Sequence, residues 1–205
     1  VVTHSDSDHI GGLPSVAQAF DTRAVWYNGS GDTASAFRAL ALNIRQRGGR
    51  LQVAGAGDSV AGLGTARMTF LSPMRDSAWS SRCSDNDRSL VLRIVEYGDT
   101  VLFTGDTGEK AERAYSRLLH TESGARVDIL KVAHHGSRFS TGDTLLATAR
   151  PRYAVISVGR NMYGHPARET LERLRATGTT VFRTDRQGTL IWRTGPAGGR
   201  WVEWR

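Results

Sequence analysis

The stretch VVTHSDSDHIGG, residues 1–12, sets two histidines and two aspartates within six positions, at His4, Asp6, Asp8 and His9. These groups repel one another and lose hydration when packed together, so their crowding needs a counter-charge. In an extended segment residues two apart point to the same side, which lets His4 and Asp6 grip one metal ion together. Asp8 and His9 follow where the chain turns towards a helix and can face a second ion. Gly11-Gly12 is expected to allow close backbone approach and to leave room beside the ions.

Three other clusters share this character. Asp106 stands at the end of an apolar strand in LFTGDTG, residues 102–108, and can bridge two ions with its two oxygens. His134 and His135 lie in KVAHHGS, residues 131–137, and His165 in RNMYGHP, residues 160–166. Five of the six histidines therefore sit in polar clusters at strand ends, and only His120, on a helix end, reads as ordinary. Adjacent strand residues point opposite ways, so His134 and His135 would face different surroundings.

Periodicity places these clusters on a mixed framework. Strands are expected at 1–3, 24–27, 50–53, 66–71, 128–133, 153–158, 180–183, 189–193 and 201–204. An antiparallel hairpin joins 89–95 to 100–104 through Tyr97-Gly98-Asp99. Helices are expected at 13–20, 33–46, 109–120, 143–149 and 167–176. Without repeats or a linker, residues 1–205 read as one α+β domain.

The chain of 205 residues carries a net charge of +7, distributed unevenly. Residues 1–110 hold 11 basic and 12 acidic groups, and residues 111–205 hold 16 and 8. A basic second half suits a polyanionic partner; the alternative is an Arg-rich composition habit, since 25 of the 27 basic residues are Arg. Cys83 is the single cysteine, which excludes an internal disulfide framework and a thiolate zinc cage. No apolar run approaches the ~20 residues of a membrane helix. Residues 1–12 carry acids and glycines where a signal peptide has its apolar region, so the stretch is expected to be soluble in itself.

These motifs resemble the metallo-β-lactamase superfamily, whose HxHxDH signature stands here as His4-Ser5-Asp6-Ser7-Asp8-His9, with Asp in place of the middle His. Together, HSDSDHIGG, NDRSLVLRI, LFTGD, LKVAHHGS and YGHP look like the C-terminal domain of ComEC-type DNA-internalisation proteins of natural competence, in order over nearly all of residues 1–193. The resemblance implies an αββα sandwich, here apparently lacking its N-terminal strands. It implies that His4 and Asp6 hold a first ion, that Asp8, His9 and one of His134 and His135 hold a second, and that Asp106 bridges them. The family's further histidine is missing, and Asn86 or Ser89 falls near its position. That oxygen-rich set moves the preference towards manganese, with zinc or magnesium as the other choices.

The activity implied is hydrolysis of DNA phosphodiesters, degrading the strand that is not imported. Asp8 would orient the attacking water, and His165 would bind phosphate or act as general acid; the plainer alternative is a loop histidine capping the helix near Pro166. Ser137, Ser140 and Thr141 could donate to a phosphate or cap the helix at Asp143. Trp192, Trp201 and Trp204 could stack on single-stranded bases or pack a sheet edge. The expected partners are single-stranded DNA and a membrane channel region of the same polypeptide, with no small organic cofactor. The domain would then be a soluble part of an inner (cytoplasmic) membrane protein, on its periplasmic or extracellular side. Two rivals remain: a small-molecule hydrolase of the same superfamily, phosphorylcholine esterase-like or lactonase-type, and a DNA-gripping domain whose metal site is degenerate.

Overall fold

A computed structural model describes residues 1–30, 34–123 and 126–203, with side chains of 120–123 excluded. Its centre is a seven-stranded sheet of β3 (Ser59–Val60), β4 (Arg67–Ser72), β5 (Val91–Glu96), β6 (Asp99–Phe103), β7 (Ile129–Lys131), β8 (Tyr153–Ile156) and β9 (Thr180–Arg183), in that spatial order. The first four strands pair antiparallel and the last three add parallel. Parallel neighbours need crossovers, supplied by α5 (Glu109–Ser123), α6 (Asp143–Ala149) and α7 (Arg168–Ala176). Because strand order advances steadily and such crossovers are right-handed, all three helices cover one face.

That face is apolar for a readable reason. Ala111, Tyr115 and Leu119 recur every four residues on α5, and Leu145, Leu146 and Ala149 line α6. They meet Leu102, Leu130 and Ala154, which lie in register across β6, β7 and β8. Each such leucine contributes about 1.5–3 kcal/mol by leaving water, and Leu130→Ala would cost about 2–5 kcal/mol.

The sheet's other face carries a second, smaller sandwich. β1 (Ala24–Tyr27) and β2 (Arg50–Val53) pair in parallel, and Trp26 packs with Met68, Phe70, Leu90 and Leu92. Outside that pair lie α1 (Ser7–Ile10), α2 (Leu13–Ala19) and α3 (Ser35–Gln46), joined by a core of Ile10, Val25, Phe37, Leu40 and Ile44. The layers therefore run helix, sheet, sheet, helix, the mixed α and β sandwich expected. Further along the same face, β10 (Ile191–Arg193) and β11 (Arg200–Val202) form a hairpin. No described helix is long and apolar enough to cross a membrane.

Several local expectations change. Residues 1–3 do not form a strand; only Val2 bridges to Tyr27, because the chain must turn into α1 directly after Asp6. The expected strand 128–133 stops at Lys131, and Ala133–Gly136 is a 3₁₀ turn. Short β3, α4 (Ser77–Ser80) and α8 (Thr184–Gln187) carry too few residues to show a period. Thr33, the expected start of the second long helix, and Trp204 lie outside the described residues.

Candidate metal centre

Three adjacent parallel strands deliver the site. Asp106 follows β6, His134 and His135 follow β7, and His165 lies in the loop after β8. In open α/β sheets this carboxyl edge is where ligands bind, since successive loops converge there. The N-terminal segment is brought to the same edge by two backbone bonds, Val2 N–H to Trp26 O at 2.8 Å and Leu90 N–H to Thr3 O at 2.9 Å.

Around the resulting centre, His4, His9 and Asp106 form one group whose ligand atoms lie within 4.8 Å of one another, and Asp8, His9 and His135 form another. His9 Nε2 stands 3.2 Å from Asp106 Oδ1 and 3.2 Å from His135 Nε2. His135 Nε2 is 3.2 Å from Asp8 Oδ2 and 3.4 Å from Asp106 Oδ2, so the Asp106 carboxylate faces both groups. Asp6 sits at the rim, 3.6 Å from His4 Nε2. The grouping differs from the expected one: His9, rather than Asp6, accompanies His4 and Asp106.

The ring orientations are set from behind. Thr3 Oγ1 contacts Nδ1 of His4 at 3.1 Å and Nδ1 of His9 at 3.5 Å, leaving both Nε2 atoms facing the centre. His135 donates Nδ1–H to Ser157 O at 2.8 Å, which fixes the tautomer and leaves Nε2 free to coordinate. His134 and His135 are not on a strand, so they do not simply alternate. Both adopt left-handed backbone, with φ of 47° and 53°. His135 enters the cluster, while His134 lies at its edge, 4.0 Å from Asp106 Oδ2, with its ring 5.6 Å from that of His165.

That backbone is held by a network absent from the sequence reading. Glu112, buried on α5, accepts N–H bonds from Thr141 and from Gly142, the latter at 2.8 Å. Thr141 Oγ1 accepts Ala133 N–H at 3.2 Å, and Ser140 Oγ donates to Ala133 O at 3.0 Å. Arg173 of α7 donates to the carbonyls of Thr141 and Ser140. Gly136 closes the turn at φ +85°, where a Cβ would lie 2.6 Å from Pro166.

Other expected residues fall elsewhere. Ser140 and Thr141 are buried and bonded within the loop, so neither faces a phosphate, and the α6 N-cap is Gly142. Ser137 is buried beside the centre, its Oγ accepting Phe139 N–H. Asn86 lines a cleft with Asp106 and His134, whereas buried Ser89 lies behind the centre and accepts Asp106 N–H at 3.2 Å. Gly11-Gly12 links α1 to α2 and lines neither cleft beside the centre, because α1 already turns the chain away. His165 does not cap α7, whose N-cap is Ala167; its loop is held by Asn161 Oδ1, which accepts N–H from Tyr163 and His165. Trp192 and Trp201 pack with Tyr153 and Phe182 on the back of the sheet, away from the centre.

The charges suit a cation. Burial raises the Asp106 carboxyl, but hydrogen bonds from His135 and His9 and the Lys131 charge outweigh it and hold the group far below the usual carboxylate range. Lys131 Nζ lies 3.6 Å from Asp106 Oδ1 and donates to Gly105 O. A lysine interrupting the apolar run of β7 was the available sign of this partner. His4 is lowered by burial and then by His9, while His135 is raised by its contact with Asp106. His4 Nε2 and Asp106 Oδ1 are both buried without a hydrogen-bond partner, an arrangement that normally costs free energy. Imidazole and carboxylate lone pairs converging on one space, with the Lys131 ammonium beside them, fit divalent cations.

Residues 1–160 match the profile described as the metallo-beta-lactamase superfamily. The chain is 28% identical over 194 residues to ComE operon protein 3 of Bacillus subtilis (strain 168), covering 94% of this chain and 24% of that protein. It is 30% identical over 203 residues to competence protein ComA of Neisseria gonorrhoeae, covering 97% and 25%. It thus spans about a quarter of the length of these curated relatives. Among solved structures, CmlA, a diiron β-hydroxylase from Streptomyces venezuelae, superposes with a TM-score of 0.58 at 13% identity, covering 98% of this chain and 44% of that one. Sequence profile, layer order and the clustered histidines and carboxylates agree: the chain belongs to the metallo-β-lactamase superfamily, a fold that houses divalent metal ions.

Proposed function

We propose that this domain is a metal-dependent phosphodiester hydrolase acting on DNA, degrading the strand not imported during DNA uptake. The observation that carries the reading is the convergence of His4, Asp8, His9, Asp106 and His135 at the head of a cleft of about 720 Å³. Its far wall presents Arg160, Asn161, Tyr163 and His165. The resemblance to ComEC-type DNA-internalisation proteins, with a competence protein among the relatives, suggests the DNA context, and the excess of arginine in residues 111–205 supplies phosphate-neutralising charge.

In this reading His4, Asp6, Asp8, His9, Asp106 and His135 hold two divalent ions. Imidazoles and carboxylates without a thiolate suit manganese first, with zinc and magnesium as competitors. Bound there, such ions supply Lewis acidity towards a phosphoryl centre and activation of water at neutral pH. Asp8, exposed on the cleft side, would orient the attacking water besides holding its ion. Arg160 draws in the phosphate. His165, kept below its ordinary pKa by burial and then by His134 and His135, contacts the phosphate or the leaving oxygen. Lys131 positions Asp106 from behind. The proposed setting is a membrane-attached protein whose channel region adjoins this domain.

The test is cleavage of a labelled DNA strand by purified protein with manganese, zinc or magnesium, beside Asp8→Ala. Wild type should shorten the strand, and Asp8→Ala should lose about 100-fold or more in rate while retaining DNA binding. Undiminished cleavage by Asp8→Ala, or retardation without cleavage by wild type in every metal, would refute it.

A further inference from the structure

Among the described residues, two clefts open onto the centre. The larger, of about 720 Å³, and a second of about 320 Å³ both have Asp106 and His134 in their walls. They therefore meet at the carboxylate that faces both ligand groups, and a chain molecule could lie through both without leaving the protein surface.

Each cleft has an exposed aromatic ring in its wall beside a cation. In the larger, Tyr163 is 84% exposed, follows a fully exposed Met162, and shares the wall with Arg160. One face of its ring stacks on His165 at 6.0 Å and 23°, leaving the other to solvent. The rings of Tyr163, His165 and His134 form a row, spaced 6.0 Å and 5.6 Å, that leads to the metal-binding cluster. In the second cleft Phe139 is 73% exposed, the Arg138 guanidinium lies 5.9 Å from its ring centre, and Lys110 lines the wall. The acids of that cleft are already engaged: Asp87 accepts from Gly108 N–H and Ser84, and Glu109 pairs with Arg113.

Neither Phe139 nor Tyr163 belongs to a described core cluster, so both rings are available to a ligand. Flat rings with neighbouring cations, on both sides of a hydrolytic centre, match a polymer that alternates planar bases with phosphates. We propose that Tyr163 and Phe139 are nucleobase platforms flanking the scissile phosphate, so that an unpaired strand runs through both clefts with one base stacked at each. A duplex keeps its bases stacked inside and cannot use either ring, so the platforms select single strands. A strand held on both sides of the centre is cut internally. This rests on the phosphodiesterase reading for its substrate, but its test does not depend on cleavage.

The test is fluorescence anisotropy in EDTA, which prevents metal-dependent cleavage. Probes are a labelled 12-nucleotide thymidine strand, an abasic strand of equal length, and a 12-base-pair duplex. Wild type should bind the thymidine strand about tenfold or more tighter than the abasic strand. Phe139→Ala and Tyr163→Ala should each weaken thymidine-strand binding about tenfold and leave the abasic strand and duplex unchanged. Phe20→Ala removes an exposed aromatic that lines neither cleft and should change nothing. Equal binding of thymidine and abasic strands, unchanged affinity in either variant, or equal loss on all three probes would overturn the proposal. Base-dependent binding in a protein that never cleaves DNA would keep the platforms and refute the hydrolase; cleavage without base dependence would do the reverse.

Discussion

Glu112 gives the network behind the histidine turn a measurable pH signature. Burial pushes its carboxyl up to about 7, against the opposing backbone donors of Gly142 and Thr141, from an ordinary value of 4.5. The folded value lies above the unfolded one, so the contribution to stability is complete below about pH 4.5. It is lost as pH rises through about 7. At 1.36 kcal/mol per pKa unit, the swing amounts to about 3 kcal/mol. Glu112→Gln keeps size and an acceptor but cannot titrate, and every other ionisable group is common to both proteins. Urea unfolding of the two, metal-free in EDTA, should show the wild type losing about 3 kcal/mol relative to Glu112→Gln between pH 4.5 and pH 8. For a domain of this size that is about 6–12 °C in Tm. A difference that stays constant across the range, or moves in the wild type's favour with rising pH, would refute the reasoning.

Two further outcomes are expected. Manganese at about 100 times its dissociation constant should stabilise the wild type by about 2.7 kcal/mol per bound ion; His135→Ala should lose most of that shift and His134→Ala should keep most of it, read as metal-dependent Tm. Gly136→Ala must place a Cβ against Pro166 in left-handed backbone; it should cost about 1–3 kcal/mol in urea unfolding and reduce metal affinity measured by calorimetry.

The metal-type residues were legible because chemistry dictated their types and strand ends dictated their positions. His4, Asp8, His9 and Asp106 stood out as polar groups with no other use in an apolar framework. The long amphipathic helices and the 89–104 hairpin showed for the same reason, since each repeats a period often enough to be read. The choice between His134 and His135 was not legible. It depends on left-handed backbone fixed by Glu112, Thr141 and Arg173, which are distant in sequence and carry ordinary residue types. The partnership of His9 with His4 was hidden likewise, because α1 begins directly after Asp6 at a turn too short to announce itself. Trp192 and Trp201 attracted attention by type but pack on the sheet, whereas Phe139 and Tyr163 are distinguished only by exposure, which composition does not reveal.

The account stands on His4, Asp8, His9, Asp106 and His135 surrounding divalent cations. Crystals grown with manganese and measured at its absorption edge test this directly. Two anomalous peaks within coordination distance of those side chains, both reached by Asp106, are the expected result. Peaks confined to other surfaces, or none at this cluster with manganese present, would contradict it.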